Sequence, residues 1–255
     1  MHEALPRVQR SESRCARLRG DDPGGGVAML VKDWMSTDVV TVEAGETVHE
    51  AAKIFMQHNP SLLPVVRNGK AVGVMTYRDL QKIISTGDPL IDPCQIPLEV
   101  LQQRVDTIMA KSIIAVPPDY TVEETSQLLL EKRIPGCPVL DHEGRVVGII
   151  TKKDLLKAFT ETSGLPGMGV LLGFLVEDRR GRIDDLLRVL RSHDARLVAI
   201  MSSYANAPEG FRNLYIRCFH IDRRRIQEIR TQLGEKAKIL FIVDRKEGTR
   251  EIVNI

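Results

Sequence analysis

The chain has 255 residues, 43% of them hydrophobic, with 36 basic and 34 acidic side chains and a net charge of +2. So even a balance excludes a broad nucleic-acid surface, which needs many unopposed cations against phosphates. The longest apolar run, 170–176, contains Gly173 and is too short for a membrane span. The four cysteines, Cys15, Cys94, Cys137 and Cys218, are far apart and form no C-x-x-C. They read as reduced thiols of a cytoplasmic protein, not as a disulfide scaffold or a zinc site.

Residues 1–28 mix Arg7, Arg10, Arg14, Arg17 and Arg19 with serines and acids, and Asp22-Pro23-Gly24-Gly25-Gly26 breaks any element. They are expected to be a disordered tail without the apolar core of a signal peptide. Met29 begins a plausible folded protein. A β-branched stretch at 39–42 predicts a strand. Thr47-x-x-Glu50 reads as a capping box for a helix over 47–58, with Val48, Ala51, Ala52, Phe55 and Met56 on one face. Strands follow at 63–67 and 71–75, joined by Asn68-Gly69, a strong hairpin signal. A second helix starts after Thr76. Residues 85–106 connect, with a short helix expected near 98–105.

The same course then recurs: strand 112–116, helix 121–132 capped by Thr121-x-x-Glu124, strands 137–140 and 145–150, and helix 152–160. The recurrence is close. Gly73-Val74-Met75-Thr76-Tyr77-Arg78-Asp79 and Gly148-Ile149-Ile150-Thr151-Lys152-Lys153-Asp154 share one layout, 75 residues apart. Leu63-Pro64-Val65-Val66 lies opposite Cys137-Pro138-Val139-Leu140, with an offset of 74. Residues 33–84 and 107–159 are therefore two copies of one β-α-β-β-α unit.

Residues 161–168, with Ser163-Gly164-Leu165-Pro166-Gly167, read as a hinge-like linker. Beyond it the pattern changes. Strands at 170–176, 196–203, 212–219 and 238–243 alternate with helices after Gly181 and over 223–233. This βαββαβ order is ferredoxin-like. The last residues, 244–255, are polar and expected to be loose.

Each Thr-x-x-Asp has two readings. It is a helix cap, because the hydroxyl accepts a backbone N–H. It is also a candidate binding corner. Both copies use Asp where the two plain capping boxes use Glu, and both carry a cation just before it, Arg78 and Lys153. A carboxylate can accept from the vicinal hydroxyls of a ribose, and a helix N-terminus beside a hydroxyl and a cation suits a phosphate. The apolar segments around Val40 with Pro64 and Ile114 with Pro138 could form a slot for a flat base. The implied chemistry is a nucleoside phosphate held without being broken down.

The repeated text, Asp38-Val39-Val40-Thr41-Val42, Leu63-Pro64-Val65-Val66 and Gly73-x-x-Thr76-x-x-Asp79 with its second copy, resembles a pair of cystathionine-β-synthase (CBS) domains, a Bateman module. The resemblance covers residues 29–160. It implies an α+β fold, a pseudo-two-fold pair with two clefts, a homodimer, and an adenosine-type ligand (AMP, ADP, ATP or S-adenosylmethionine). It implies nucleotide-binding roles for Thr76, Arg78, Asp79, Thr151, Lys153 and Asp154, with the base against Val40, Pro64, Val65, Ile114, Pro138 and Val139. Residues 169–243 resemble an ACT domain, a small regulatory fold, through Glu177-Asp178-Arg179-Arg180-Gly181-Arg182-Ile183. Family members commonly have Asp-x-Pro-Gly there, and Arg180 replaces the Pro. This resemblance implies an amino-acid site at Asp178, Gly181 and Ile183, against the plainer reading of sheet-to-sheet packing. The whole looks like the bacterial acetoin-utilisation-type regulators.

Catalysis finds little support. The six histidines form no metal-ligating spacing, and neither a P-loop nor a Gly-x-Ser-x-Gly elbow occurs. Cys137 beside Pro138 has no assigned base. Arg223-Arg224-Arg225 reads as a solvated helix start, with a phosphate or RNA contact as the sharper reading. The expected function is a non-catalytic regulator that senses adenine nucleotides, with no metal and no membrane partner. The alternative is an amino-acid-binding regulator whose CBS pair only dimerises.

Overall fold

A computed structural model describes residues 29–84, 98–167 and 169–253. They fall into two compact units, one ending at Phe159 and the other beginning at Thr160.

In the first unit, α1 (Val31–Trp34), β1 (Val42–Glu43), α2 (Val48–His58), β2 (Leu63–Arg67), β3 (Lys70–Met75) and α3 (Tyr77–Ile84) are followed by the short helices α4 (Leu98–Leu101) and α5 (Val105–Ile108). Then come α6 (Val122–Glu131), β4 (Gly136–Leu140), β5 (Val146–Thr151) and α7 (Lys152–Thr162), whose last turn crosses the unit boundary. The hairpins form as their turns dictate. Asn68 and Gly69 take φ of 53° and 76°, as a tight right-twisted hairpin requires. Thr121 and Glu124 complete a reciprocal capping box at α6. At α2 the Thr47 oxygen accepts from the Glu50 N–H at 3.3 Å, while the Glu50 carboxylate turns to Lys53 at 2.8 Å.

Each repeat has its own apolar core. Val42, Val48, Ala51, Phe55, Leu63, Val65, Met75 and Leu80 build the first. Val31, Val116, Val122, Leu129, Cys137, Val139, Ile150 and Leu155 build the second.

Val31 belongs to the second core although it precedes the first repeat, and this shows how the copies are joined. The segment ahead of each repeat packs on the other one. Val31 N–H donates to the Tyr120 carbonyl and Val122 N–H to the Met29 carbonyl, both over 2.8 Å. In mirror fashion, Val105 N–H donates to the Glu46 carbonyl and Val48 N–H to the Gln103 carbonyl, both over 2.9 Å. Met35 then sits over Gly148 and Met109 over Gly73; an added Cβ on either glycine would lie 2.3 Å from the methionine sulfur. These glycines are required by close approach, not by a turn.

This exchange shortens two expected strands. Of 39–42, only Val42 pairs, as part of β1 parallel to β2. Of 112–116, only Val116 bridges to Val139. The residues before them have crossed to the opposite repeat, where Ser36 bridges Ile149 and Ala110 bridges Val74.

In the second unit, β6 (Val170–Glu177), α8 (Arg182–Ser192), β7 (Arg196–Ser203), β8 (Phe211–Phe219), α9 (Ile226–Gly234), β9 (Lys238–Asp244) and β10 (Thr249–Ile252) form a five-stranded antiparallel sheet in the order β10-β9-β6-β8-β7. Leu172, Phe174, Leu186, Leu190, Leu214, Ile216, Ile229 and Leu233 fill its core, joining the sheet to α8 and α9.

Two expectations differ from the structure here. Residues 244–255 were expected to be loose, yet Thr249–Ile252 pairs with β9. The turn is built by Asp244, whose carboxylate accepts from the Lys246 and Glu247 N–H groups at 2.9 and 3.3 Å. Residues 163–167, read as a hinge, are packed. The buried Ser163 offers its carbonyl to Arg217 Nε at 2.8 Å, and Leu165–Gly167 forms a 3-10 turn whose Gly167 lies against the Phe219 ring. The expected tail at 1–28 and the loop 85–97 lie outside the described residues.

Candidate functional site

The corner at the start of α3 is held by Asp79. Its Oδ2 accepts from the Thr76 N–H at 3.0 Å and from the Thr76 hydroxyl at 2.7 Å, and the Asp79 N–H points back to Thr76 Oγ1 at 3.4 Å. The second corner repeats this at 2.9, 2.6 and 3.4 Å with Thr151 and Asp154. The capping reading therefore holds at both. Only Oδ2 is used in this way. Asp79 Oδ1 reaches Lys82 Nζ at 3.4 Å and stays half-buried at the surface. Burial pushes the Asp79 carboxyl up, but the Thr76 hydroxyl and N–H and the Lys82 ammonium outweigh it and hold it below the usual aspartate range. The group is an anion at neutral pH, with Oδ2 held by Thr76 and Oδ1 in the longer contact with Lys82.

A cleft of about 280 Å³ opens on this corner. Thr76, Arg78, Asp79 and Lys82 line its polar side from the first repeat, and Ser112, Ile114 and Pro138 come from the second. Leu62 and Ile134 add apolar wall. The exchange of flanking segments is what brings Ser112 and Ile114 here, because Val74 and Ala110 share two backbone hydrogen bonds of 3.1 and 2.9 Å. Sequence reasoning named the corner and the slot residues but did not pair the corner of one repeat with the slot of the other. It missed Lys82 and Ser112, although Lys82 one turn after Arg78 was a readable signal.

The corner residues Thr151, Lys153 and Asp154 stand at the start of α7 in the same relation. By the same pairing, Ser36 bridges Ile149 two residues before Thr151, while Val40, further along that segment, packs against the first core. Val65 and Val139 do not join either site. Both are fully buried in the two cores, on the strand face opposite Pro64 and Pro138, because successive strand residues alternate sides.

The turn expected to take an amino acid is occupied by its own ion pairs. Glu177 accepts from Arg179 at 2.8 Å and from Arg182 at 2.7 Å, and Asp178 faces Arg212 at 3.4 Å. Ile183 packs on the core. Gly181 has open space around it but a φ of +86°, so backbone conformation explains the glycine without a ligand. The three guanidiniums of 223–225 pair with Asp244, Asp222 and Glu228 respectively, which favours the plain helix-start reading. Burial pushes the Cys137 and Cys218 thiols up to about 11, so neither is a nucleophile at neutral pH. Among the described residues no group of His, Cys, Asp or Glu gathers as a metal site, and no helix is long and apolar enough to cross a membrane.

Comparison with known proteins agrees with the duplicated unit. The CBS domain family matches residues 31–86 and 105–161. The CBS domain-containing protein YhcV of Bacillus subtilis is 33% identical over 125 residues, which are 49% of this chain and 81% of YhcV. The inosine-5'-monophosphate dehydrogenase of Methanocaldococcus jannaschii is 34% identical over 121 residues, 47% of this chain but only 21% of the dehydrogenase. Among solved structures, the CBS domain pair of protein MJ0100 in complex with 5'-methylthioadenosine and S-adenosyl-L-methionine is 32% identical, covering 52% of this chain and 96% of that one, with a TM-score of 0.43. With two copies of the domain in its first unit, the chain belongs to the CBS-domain family.

Proposed function

We propose that the chain is a non-catalytic regulator that binds an adenine nucleotide in the cleft at Thr76 and Asp79. One observation carries this: the cleft joins an acid-hydroxyl corner and two cations from one repeat to an apolar slot from the other. The base fits between Ile114, Pro138 and Leu62. Asp79 accepts from the ribose hydroxyls, and Arg78, Lys82 and the Ser112 hydroxyl face the phosphate. These are the few placed polar groups and apolar walls of a small-molecule site, and the volume of about 280 Å³ lies just below the usual range of about 300–1,000 Å³. The Thr151, Lys153 and Asp154 corner is the second candidate.

Because the cleft is made by both repeats, a ligand there binds one relative placement of the repeats better than another. Regulation needs such unequal binding, with typical couplings of about 1–3 kcal/mol. The second unit is proposed as an ACT-like receiver of that state. Its strand-helix-strand-strand-helix-strand order, with β6 and β8 central, supports the ferredoxin-like reading. The ion-paired turn at Glu177–Arg182 argues against the amino-acid-binding alternative. Met56 and Leu130, exposed at 67% and 69% and 74 positions apart on α2 and α6, are the positions proposed to meet a second copy. Thermal-shift assays of the full chain with AMP, ADP, ATP and S-adenosylmethionine test the reading. A rise in Tm with at least one is expected; no shift with any would overturn it.

A further inference from the structure

The two corners share a backbone frame but not a charge. Ser36 and Ile149 exchange backbone hydrogen bonds of 2.9 and 3.0 Å, just as Ala110 and Val74 do at the first cleft. Met35 and Met109 cover the matching glycines. This common register sets the residues of each exchanged segment in corresponding order beside the two corners, with Val39 N–H also closing on the Thr37 carbonyl at 3.1 Å in the Ser36 segment. Two positions beyond the bridge, the first cleft has Ser112 in its wall. Two positions beyond the other bridge stands Asp38, also exposed.

The first cleft then sets Arg78 and Lys82 against a single carboxylate, Asp79. By the same register the second corner carries Lys153 and Lys157 with Asp154, and Asp38 holds the position that Ser112 holds at the first. A phosphate monoester carries roughly −1.5 to −2 at neutral pH. A second carboxylate within a few ångströms of it, at a partly screened surface, weakens binding by about tenfold or more. An adenosine head without phosphate does not meet this penalty.

We propose that Asp38 makes the corner at Thr151 and Asp154 refuse nucleoside phosphates and accept only uncharged or cationic adenosine derivatives, so that each chain takes one nucleoside phosphate, at Thr76 and Asp79. This rests on the nucleotide reading above. The two sites thereby report two ligand classes instead of one ligand twice.

Calorimetric titration of the full chain with ADP and with adenosine tests this. One ADP and two adenosines per chain are expected for the wild type. Asp38→Ser should admit a second ADP, and Asp38→Asn, nearly isosteric, should do the same if the serine variant fails to fold. Ser112→Asp should weaken the single ADP site at least tenfold while changing adenosine by less than about threefold. Two ADP sites of similar affinity in the wild type, or no second site in either Asp38 variant, would overturn the inference and leave nucleotide binding standing. No heat with either compound would overturn the nucleotide reading and the inference with it.

Discussion

Thr76 donates its hydroxyl proton to Asp79 Oδ2 across 2.7 Å, so the residue that would grip a ligand is already positioned by its neighbour. The bond fixes the carboxylate rotamer, and Oδ1 reaches Lys82 Nζ at 3.4 Å. On the proposed reading the cap preorganises the binding group. The duplicate pair, Thr151 and Asp154, has the same bond at 2.6 Å.

The exchanged segments give a stability prediction. Gly73→Ala would place a methyl 2.3 Å from Met109 Sδ and 3.1 Å from the Ala110 carbonyl. It should cost about 1–3 kcal/mol, the usual penalty of overpacking. Adding Met109→Ala should return part of that loss. Urea denaturation of the two single variants and the double variant checks the coupling; strictly additive losses would contradict the contact.

Acid should loosen both units. Burial pushes the Asp79 and Asp244 carboxyls up, but hydrogen bonds from Thr76 and from Arg223 respectively hold both below the ordinary aspartate value. A depressed folded value means that the stability is present above the unfolded value, near pH 4, and lost as pH falls through the folded one. Tm should be flat from about pH 7 to 5 and fall below about pH 4. In Asp244→Ala, which removes the contacts of 2.6 and 3.1 Å and leaves Arg223 with Glu247 at 3.4 Å, neutral stability should drop by about 2 kcal/mol and part of the acid dependence should vanish.

The buried thiols should be silent. Cys137 and Cys218 are 1% and 0% exposed and protonated at neutral pH. A thiol reagent at pH 8 should leave both unmodified in the native protein and label both in urea, read peptide by peptide in a mass spectrum. Rapid native labelling of Cys137 would show that its strand opens readily.

The duplicated unit was legible because the motifs themselves repeat, and the second unit because its apolar runs are separated by clear turns. The exchange was not legible. Nothing in the text near Ser112 says that Ala110 pairs with Val74, since that contact is set by three-dimensional register between copies. For the same reason 39–42 and 112–116 read as full strands when most of each leaves its own sheet. Val65 and Val139 were assigned to the slot because they follow the prolines, whereas strand alternation turns them into the cores. β10 escaped notice because Thr-Arg-Glu-Ile at an edge needs no apolar alternation.

The central claim is that Asp79 holds a ligand as well as a helix end. Asp79→Glu separates the two roles, because Thr121 and Glu124 show that a glutamate completes the same cap at 2.9 and 3.1 Å. Its longer side chain would move the carboxylate oxygen that the proposal assigns to the ribose. Calorimetric titration of AMP into wild type and Asp79→Glu, with Tm measured alongside, is the direct measurement. The account predicts a stability change below about 1 kcal/mol and a loss of affinity of at least tenfold; equal affinity in the two proteins, or no binding to the wild type, would contradict it.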